Sequence, residues 1–174
     1  MAFDTFMYFT GASTNGLTPK GETSDTKYGP KGAYEIYSFS WGMSNPVTIS
    51  SATTGSGGGK VSISSFNFMK KLDSASPVLM TACVTGAHFP QADVVLRKAG
   101  GNKLEYLTFT FKELFIESVQ NSGSSGGDDT PTEPVSVAFK SYLLSYQPQD
   151  TTGAAKGGAI TSTWDITLND TPAS

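Results

Sequence analysis

The chain has 174 residues, enough for one domain burying roughly 70% of the surface its unfolded form exposes. Only 16% of residues are charged and the formal net charge is −3, which gives no general attraction to nucleic acid or anionic membrane. The single cysteine, Cys83, excludes an internal disulfide framework, and no apolar run of about 18 residues is available to span a bilayer.

In chain order, residues 3–10 alternate loosely and read as a first strand, without the basic and apolar segments of a Sec signal peptide. Residues 11–33 carry five glycines and two prolines and show neither helical nor strand period, so they read as a long, functional or mobile loop. In AYEIYSFSWGM, Tyr37, Phe39, Trp41 and Met43 share one face, expected to be core. Ser38 and Ser40 share the other. A Gly/Ser-rich loop follows over 51–59, and then a strand from Lys60 to Leu72. Its apolar phase moves from Val61 and Ile63 to Phe66 and Phe68, which predicts a bulge at Ser64–Ser65.

The one helix is predicted in DSASPVLMTACVTG, with Ser76 as N-cap, Pro77 at the first helical position and Gly86 as the stop. Leu79, Met80 and Cys83 form its apolar stripe. A strand over Ala92–Lys98, a Gly100–Gly101 turn and a long strand from Leu104 make a hairpin, with a phase change at Lys112–Glu113. A second flexible loop covers 121–134, followed by a strand over Val135–Tyr146. A last strand, Ile160–Leu168, has Ile160, Trp164, Ile166 and Leu168 on one side. About seven strands and one helix predict a mainly β domain: a small β-barrel of two packed sheets with one short α-helix.

Few residues suggest chemistry. TTGSGGGKV, residues 53–61, resembles a phosphate-binding loop, but Thr54 stands where the first glycine belongs and Val61 where a Mg²⁺-holding hydroxyl belongs. A strand follows it rather than a helix N-terminus, so a plain connection is the better reading. Cys83 and His88 are separated by the helix stop and have no orienting third group; Cys83 reads as core and His88 as cover for the helix exit, donating to a carbonyl. Asp128, Asp129 and Glu133 do not follow calcium-loop spacing and read as a solvated turn. Trp41 and Trp164 read as core rather than as a sugar platform. No catalytic set, cofactor site or metal site is predicted.

Several stretches resemble the haemolysin-coregulated protein (Hcp) family of bacterial type VI secretion systems. They are KGETSDTKY (20–28), SFSWGMSNP (38–46), the block from Gly59 to Gly101, LEYLTFTFKELFIESV (104–119), SGGDDTPTEPVSVAF (125–139) and YQPQ (146–149). The departures are residues 11–18, which look inserted, and the tail after Asn169. The resemblance implies a fold like phage tail-tube proteins, hexameric rings stacked into a tube inside a contractile sheath, and export from the cytoplasm without a Sec signal. It implies partners too: further copies of the chain, the spike, sheath and baseplate proteins, and small effector proteins carried in the lumen, with neither nucleic-acid binding nor membrane insertion.

Under that resemblance the whole of 1–174 is one tube domain and no enzyme. Ser38 and Ser40 are expected to face the lumen and contact effectors. Lys20, Glu22, Asp25 and Lys27, which mix both signs of charge along the 11–33 loop, are expected at the contact between rings. The competing readings are a secreted β-sandwich module that binds glycan or receptor, and an enzyme using Cys83 or His88. An elution volume separates the first from a ring, and native-state thiol alkylation tests the second.

Overall fold

The structure is a computed structural model and describes residues 3–48, 57–100, 103–123 and 130–171. Its strands in chain order are β1 (Phe3–Thr10), β2 (Tyr34–Ser40), β3 (Met43–Ser44), β4 (Val47–Thr48), β5 (Gly57–Gly58), β6 (Ser62–Ile63), β7 (Phe66–Lys71), β8 (His88–Lys98), β9 (Glu105–Val119), β10 (Thr132–Tyr146) and β11 (Ile160–Asp165). The helix α1 (Ser76–Thr85) lies between β7 and β8. Seven strands form one antiparallel sheet in the order β11-β10-β7-β2-β1-β8-β9, and β10 also pairs with β9. That second pairing closes six strands into a barrel and leaves β11 alongside the far half of β10. The two-stranded pairs β3–β6 and β4–β5 stand apart from it.

The barrel interior follows from period-two alternation corrected at defined slips. On β9, Phe109 and Phe111 point inward, and Glu113 adopts φ 54°. The register with β8 and β10 is kept across that left-handed residue, while Leu114 and Ile116 become the inward set. The phase change at Lys112–Glu113 is therefore real. The predicted bulge at Ser64–Ser65 is instead a break between β6 and β7: Ser64 donates its N–H to the Gly42 carbonyl (2.9 Å) and the chain changes sheet.

The expected core face of β2 is only half right. The ladder with β7 slips between Ile36 and Ser38, so Tyr34 and Ile36 are buried before the slip and Phe39 and Trp41 pack inward after it. Tyr37, at the slip itself, is 58% exposed, and Met43, beyond the strand, 51%. Trp41 lies edge-on to Phe109, Phe111, Phe139 and Tyr142, as expected of a core residue. In the last segment, Trp164 on β11 and Ile166 just beyond it pack on the core, whereas Ile160 and Leu168 are both 64% exposed. Asp165 ends that strand early, because its carboxylate accepts the N–H groups of Thr167 and Leu168.

The helix also begins differently from expectation. Ala75 is its N-cap and Ser76 lies inside the first turn, while Gly86 stops it at φ 62° with its N–H on the Ala82 and Cys83 carbonyls. The buried stripe is Ser76, Leu79 and Ala82; Met80 faces outward. Ser76 is inside because its hydroxyl serves a buried charge cluster. Lys70 Nζ, fully buried, lies 2.9 Å from Glu133 Oε2, 2.7 Å from Asp73 Oδ1 and 2.8 Å from Ser76 Oγ. Glu133, read from the sequence as part of a solvated turn, is also fully buried, and Ser76 Oγ donates to it at 2.8 Å. The cluster joins β7, β10 and the start of α1. Asp128 and Asp129 lie outside the described residues.

Candidate functional site

Two features outside the core stand out. The first is the outward face of β2, β7, β10 and β9. Alternation sends the side chains between the inward residues to this face, and the pairing aligns them. Ser40 sits opposite Asn67, Asn67 opposite Ser136, and Ser136 opposite Ser118. A neighbouring row runs from Ser38 to Met69 to Pro134, whose carbonyl accepts the Gln120 N–H at 3.0 Å. Together these residues line one shallow groove, with no ionisable side chain among its described lining residues. Glu117 sits at the rim, accepting a hydrogen bond from Ser136 Oγ at 3.0 Å. Such a surface offers hydroxyl and amide groups to any passing polar group and selects little by charge.

Ser38 and Ser40 are both exposed on this face, and they are the part of it named from sequence. Asn67, Ser118, Gln120 and Ser136 were missed. The signal for two of them was present: Asn67 alternates with Phe66 and Phe68, and Ser136 with Val135 and Val137. Which strands neighbour β2 is not local information.

The second feature is the stretch 20–33, which lies over β1 and β8. Ser74 donates its hydroxyl to the Lys20 carbonyl (2.8 Å) and its N–H to Glu22 Oε1 (3.2 Å). Asp25 is turned inward: Oδ1 accepts the N–H groups of Lys27 (2.9 Å) and Tyr28 (3.1 Å), and Oδ2 lies 2.7 Å from Arg97 Nη2. The Arg97 hydrogen bond, helped by those backbone N–H groups, holds the Asp25 carboxyl down at about 2. Lys27 pairs with Glu105, which also accepts from Tyr28 Oη at 2.5 Å. Burial pushes the Glu105 carboxyl up, but the Lys27 and Tyr28 hydrogen bonds outweigh it, and the net direction is down. Tyr28 itself is pushed well above the usual phenol range, by burial first and then by Glu105. Of the four residues predicted at a ring contact, Lys20, Glu22 and Lys27 are exposed, and Asp25 is engaged within the chain.

The residues considered for catalysis are placed elsewhere. Cys83, half-buried on α1, has its sulfur 3.6 Å from the Glu117 carbonyl. His88 stacks on Phe115 (5.0 Å between centroids) and pairs with the Glu113 carboxylate rather than with a carbonyl. Among the described residues no helix is long and apolar enough to cross a membrane.

Residues 6–146 match the family described as "Type VI secretion system effector, Hcp". The chain belongs to the Hcp family. It is 44% identical to Protein hcp1 of Pseudomonas aeruginosa over 111 residues, covering 63% of this chain and 68% of that one. Among solved structures, "Structure of a type six secretion system protein" superposes with a TM-score of 0.87 at 32% identity, covering 98% of this chain and all of the other. Hcp1 from Salmonella typhimurium gives 0.76 at 32% identity over 99% of this chain and 100% of its own. The Hcp barrel, with its one short helix, is thus the fold predicted from sequence.

Proposed function

We propose that this Hcp protein is a structural tube subunit and not an enzyme: six copies close into a ring, rings stack into a tube, and the tube leaves the cytoplasm through the type VI machinery. The observation that carries the reading is that the neutral face lies between two unlike strand edges. Among the described residues, β11 has an outer neighbour only at Asp165, which bridges to Asp170, and β2 pairs with β1 only at Tyr34 and Glu35. Two different edges on one subunit are what a closed, head-to-tail ring requires, since unpaired N–H and C=O groups seek a partner strand. A ring closed through those edges turns the groove of Ser38, Ser40, Asn67 and Ser136 to one common wall. We place that wall at the lumen, where small effector proteins are held by neutral hydrogen bonds. Lys20, Glu22 and Lys27, with the loop that Asp25 fixes, make the contact to the next ring. Spike, sheath and baseplate proteins are the further partners.

Light scattering on the purified chain tests the ring: the expected mass is six times the chain's 18.3 kDa, and a monomer at micromolar concentration rejects the proposal. Ser40→Gln tests the lumen. It should leave the ring mass unchanged, because nothing buried is disturbed, and weaken retention of a co-expressed effector. Full retention in that variant removes Ser40 from the cargo surface.

A further inference from the structure

The stretch 20–33 has the composition of a loose loop, with Gly21, Gly29, Pro30 and Gly32, yet it is fastened at every turn. Its anchor is Arg97, whose side chain points outward from β8 and is nevertheless almost wholly covered, at 6% exposure. One guanidinium nitrogen, Nη2, reaches both Asp25 at 2.7 Å and Asp4 at 3.0 Å. The guanidinium lies 4.8 Å over the Phe6 ring and 5.7 Å from the Tyr28 ring, and those two rings stack at 4.5 Å. Phe6, Tyr28, Ala33 and Val95 form an apolar cluster separate from the main core, with Tyr8 at its margin. At the loop's ends, Gly32 turns the chain at φ 68°, and Gly21 passes so close to Tyr34 that a Cβ would meet the tyrosine Cβ at 2.4 Å.

None of this closes the barrel. The six barrel strands and α1 fill their own core without Tyr28 or Arg97. Ordering a glycine-rich segment costs backbone entropy, and here that order serves a shape presented to solvent. A surface already in its bound shape avoids that cost at the moment of contact, and so binds more tightly than one that must first order. We infer that Arg97 and Asp25 form a latch that holds residues 20–33 pre-organised for the next ring, so that stacking depends on the latch while ring closure does not. The inference rests on the proposed ring contact of this loop, and Arg97 acts in it as a positioning residue.

Two variants release the latch differently. Asp25→Asn keeps an oxygen for the Lys27 and Tyr28 N–H groups but loses the charge that faces Arg97. Arg97→Gln removes the anchor and leaves Asp25 in place. Each purified full-length variant is digested briefly with trypsin alongside the unsubstituted protein. Cleavage after Lys27 and Lys31 reports the loop, and cleavage after Lys60 and Lys156, exposed elsewhere, serves as the reference. Loop cleavage is expected to accelerate about tenfold or more relative to the reference, the order set by losing one hydrogen bond between charged groups. Ring mass by light scattering should stay that of the unsubstituted protein, and secretion of the variant by type VI-active cells should be lost. Arg97→Lys, which can meet one carboxylate but cannot stack and bridge, should recover only part of the protection.

Unchanged loop cleavage in both Asp25→Asn and Arg97→Gln overturns the latch. So does a fall of either variant to monomer mass, which would place Arg97 in the ring. An opened loop with undiminished secretion overturns the link to stacking. Should the unsubstituted protein be a monomer, the tube reading fails, while the trypsin comparison still decides whether the latch exists.

Discussion

Lys70 and Arg97 are both covered cations holding two carboxylates each, and they do different work. Lys70 meets Asp73 and Glu133 inside the main core, where both it and Glu133 have no exposed surface. Arg97 meets Asp4 and Asp25 on the outer side of β8, where Asp4 remains 42% exposed. The first cluster ties a helix start to two barrel strands; the second ties a loop to a finished barrel. Depth separates the two. A sealed pair stripped of one partner leaves a bare charge with no water to receive it, whereas a rim pair can be rehydrated.

The largest effect should come from the sealed cluster. Glu133→Gln leaves Lys70 with one fewer counter-charge in a dry site and should lower unfolding stability by about 3–5 kcal/mol in a denaturant titration. A loss below about 1 kcal/mol would mean that water reaches the cluster and that the contrast with Arg97 is false. Asp73, 14% exposed, retains some access to solvent, so Asp73→Asn should cost less than Glu133→Gln.

Acid should act on the rim cluster next. The Asp25 carboxyl is depressed from 3.8 to about 2, so its contribution is fully present above pH 4 and is lost as pH falls through about 2. Amide hydrogen exchange should therefore show loss of protection over 25–28 on descending from pH 4 to pH 2, after correction for intrinsic rates. Protection that stays constant across that window would detach Asp25 from the loop's order.

Smaller still is the Lys27–Glu105 pair, whose side chains are 54% and 30% exposed. Lys27→Ala should change unfolding stability by no more than about 1 kcal/mol, and the change should shrink in high salt. The smallest effect belongs to the neutral face. Asn67→Ser should alter stability by about 0.5 kcal/mol or less, because Asn67 is exposed and only its short link to the Ser65 carbonyl is lost.

Much of the frame is legible in the residues because it is local. Alternation bounds β1 at residues 3–10, Gly86 stops α1, and the phase change at Lys112–Glu113 is present in the structure, where Glu113 is left-handed. What is not legible depends on partners distant in sequence. Tyr37 looks like core until the slip against Lys70 and Met69 moves it outward. Glu133 looks like turn because its neighbours are polar and glycine-rich, and Lys70, which draws it in, belongs to another strand. Ser76 has the chemistry of an N-cap, but Lys70 and Glu133 claim its hydroxyl. At the candidate site, Ser38 and Ser40 were accessible from one strand's alternation. The rest of the rows needed the order β2-β7-β10-β9, which no single strand encodes.

The double pairing of β10 has a consequence for how the chain is made. β10 is the last of the six barrel strands in sequence and the one bonded to both β7 and β9, and β1 meanwhile waits for β8, with Phe3 opposite Lys98. A growing chain therefore cannot close its barrel until β10, which meets β7 through Thr132–Val137, has left the ribosome. Up to that point the edges of β7 and β9 stand open, and contacts between remote segments of this kind form slowly. The nascent protein exposes bare strand edges before it has a barrel, so wrong pairing between chains is a hazard of its synthesis, one set by where β10 falls in the sequence.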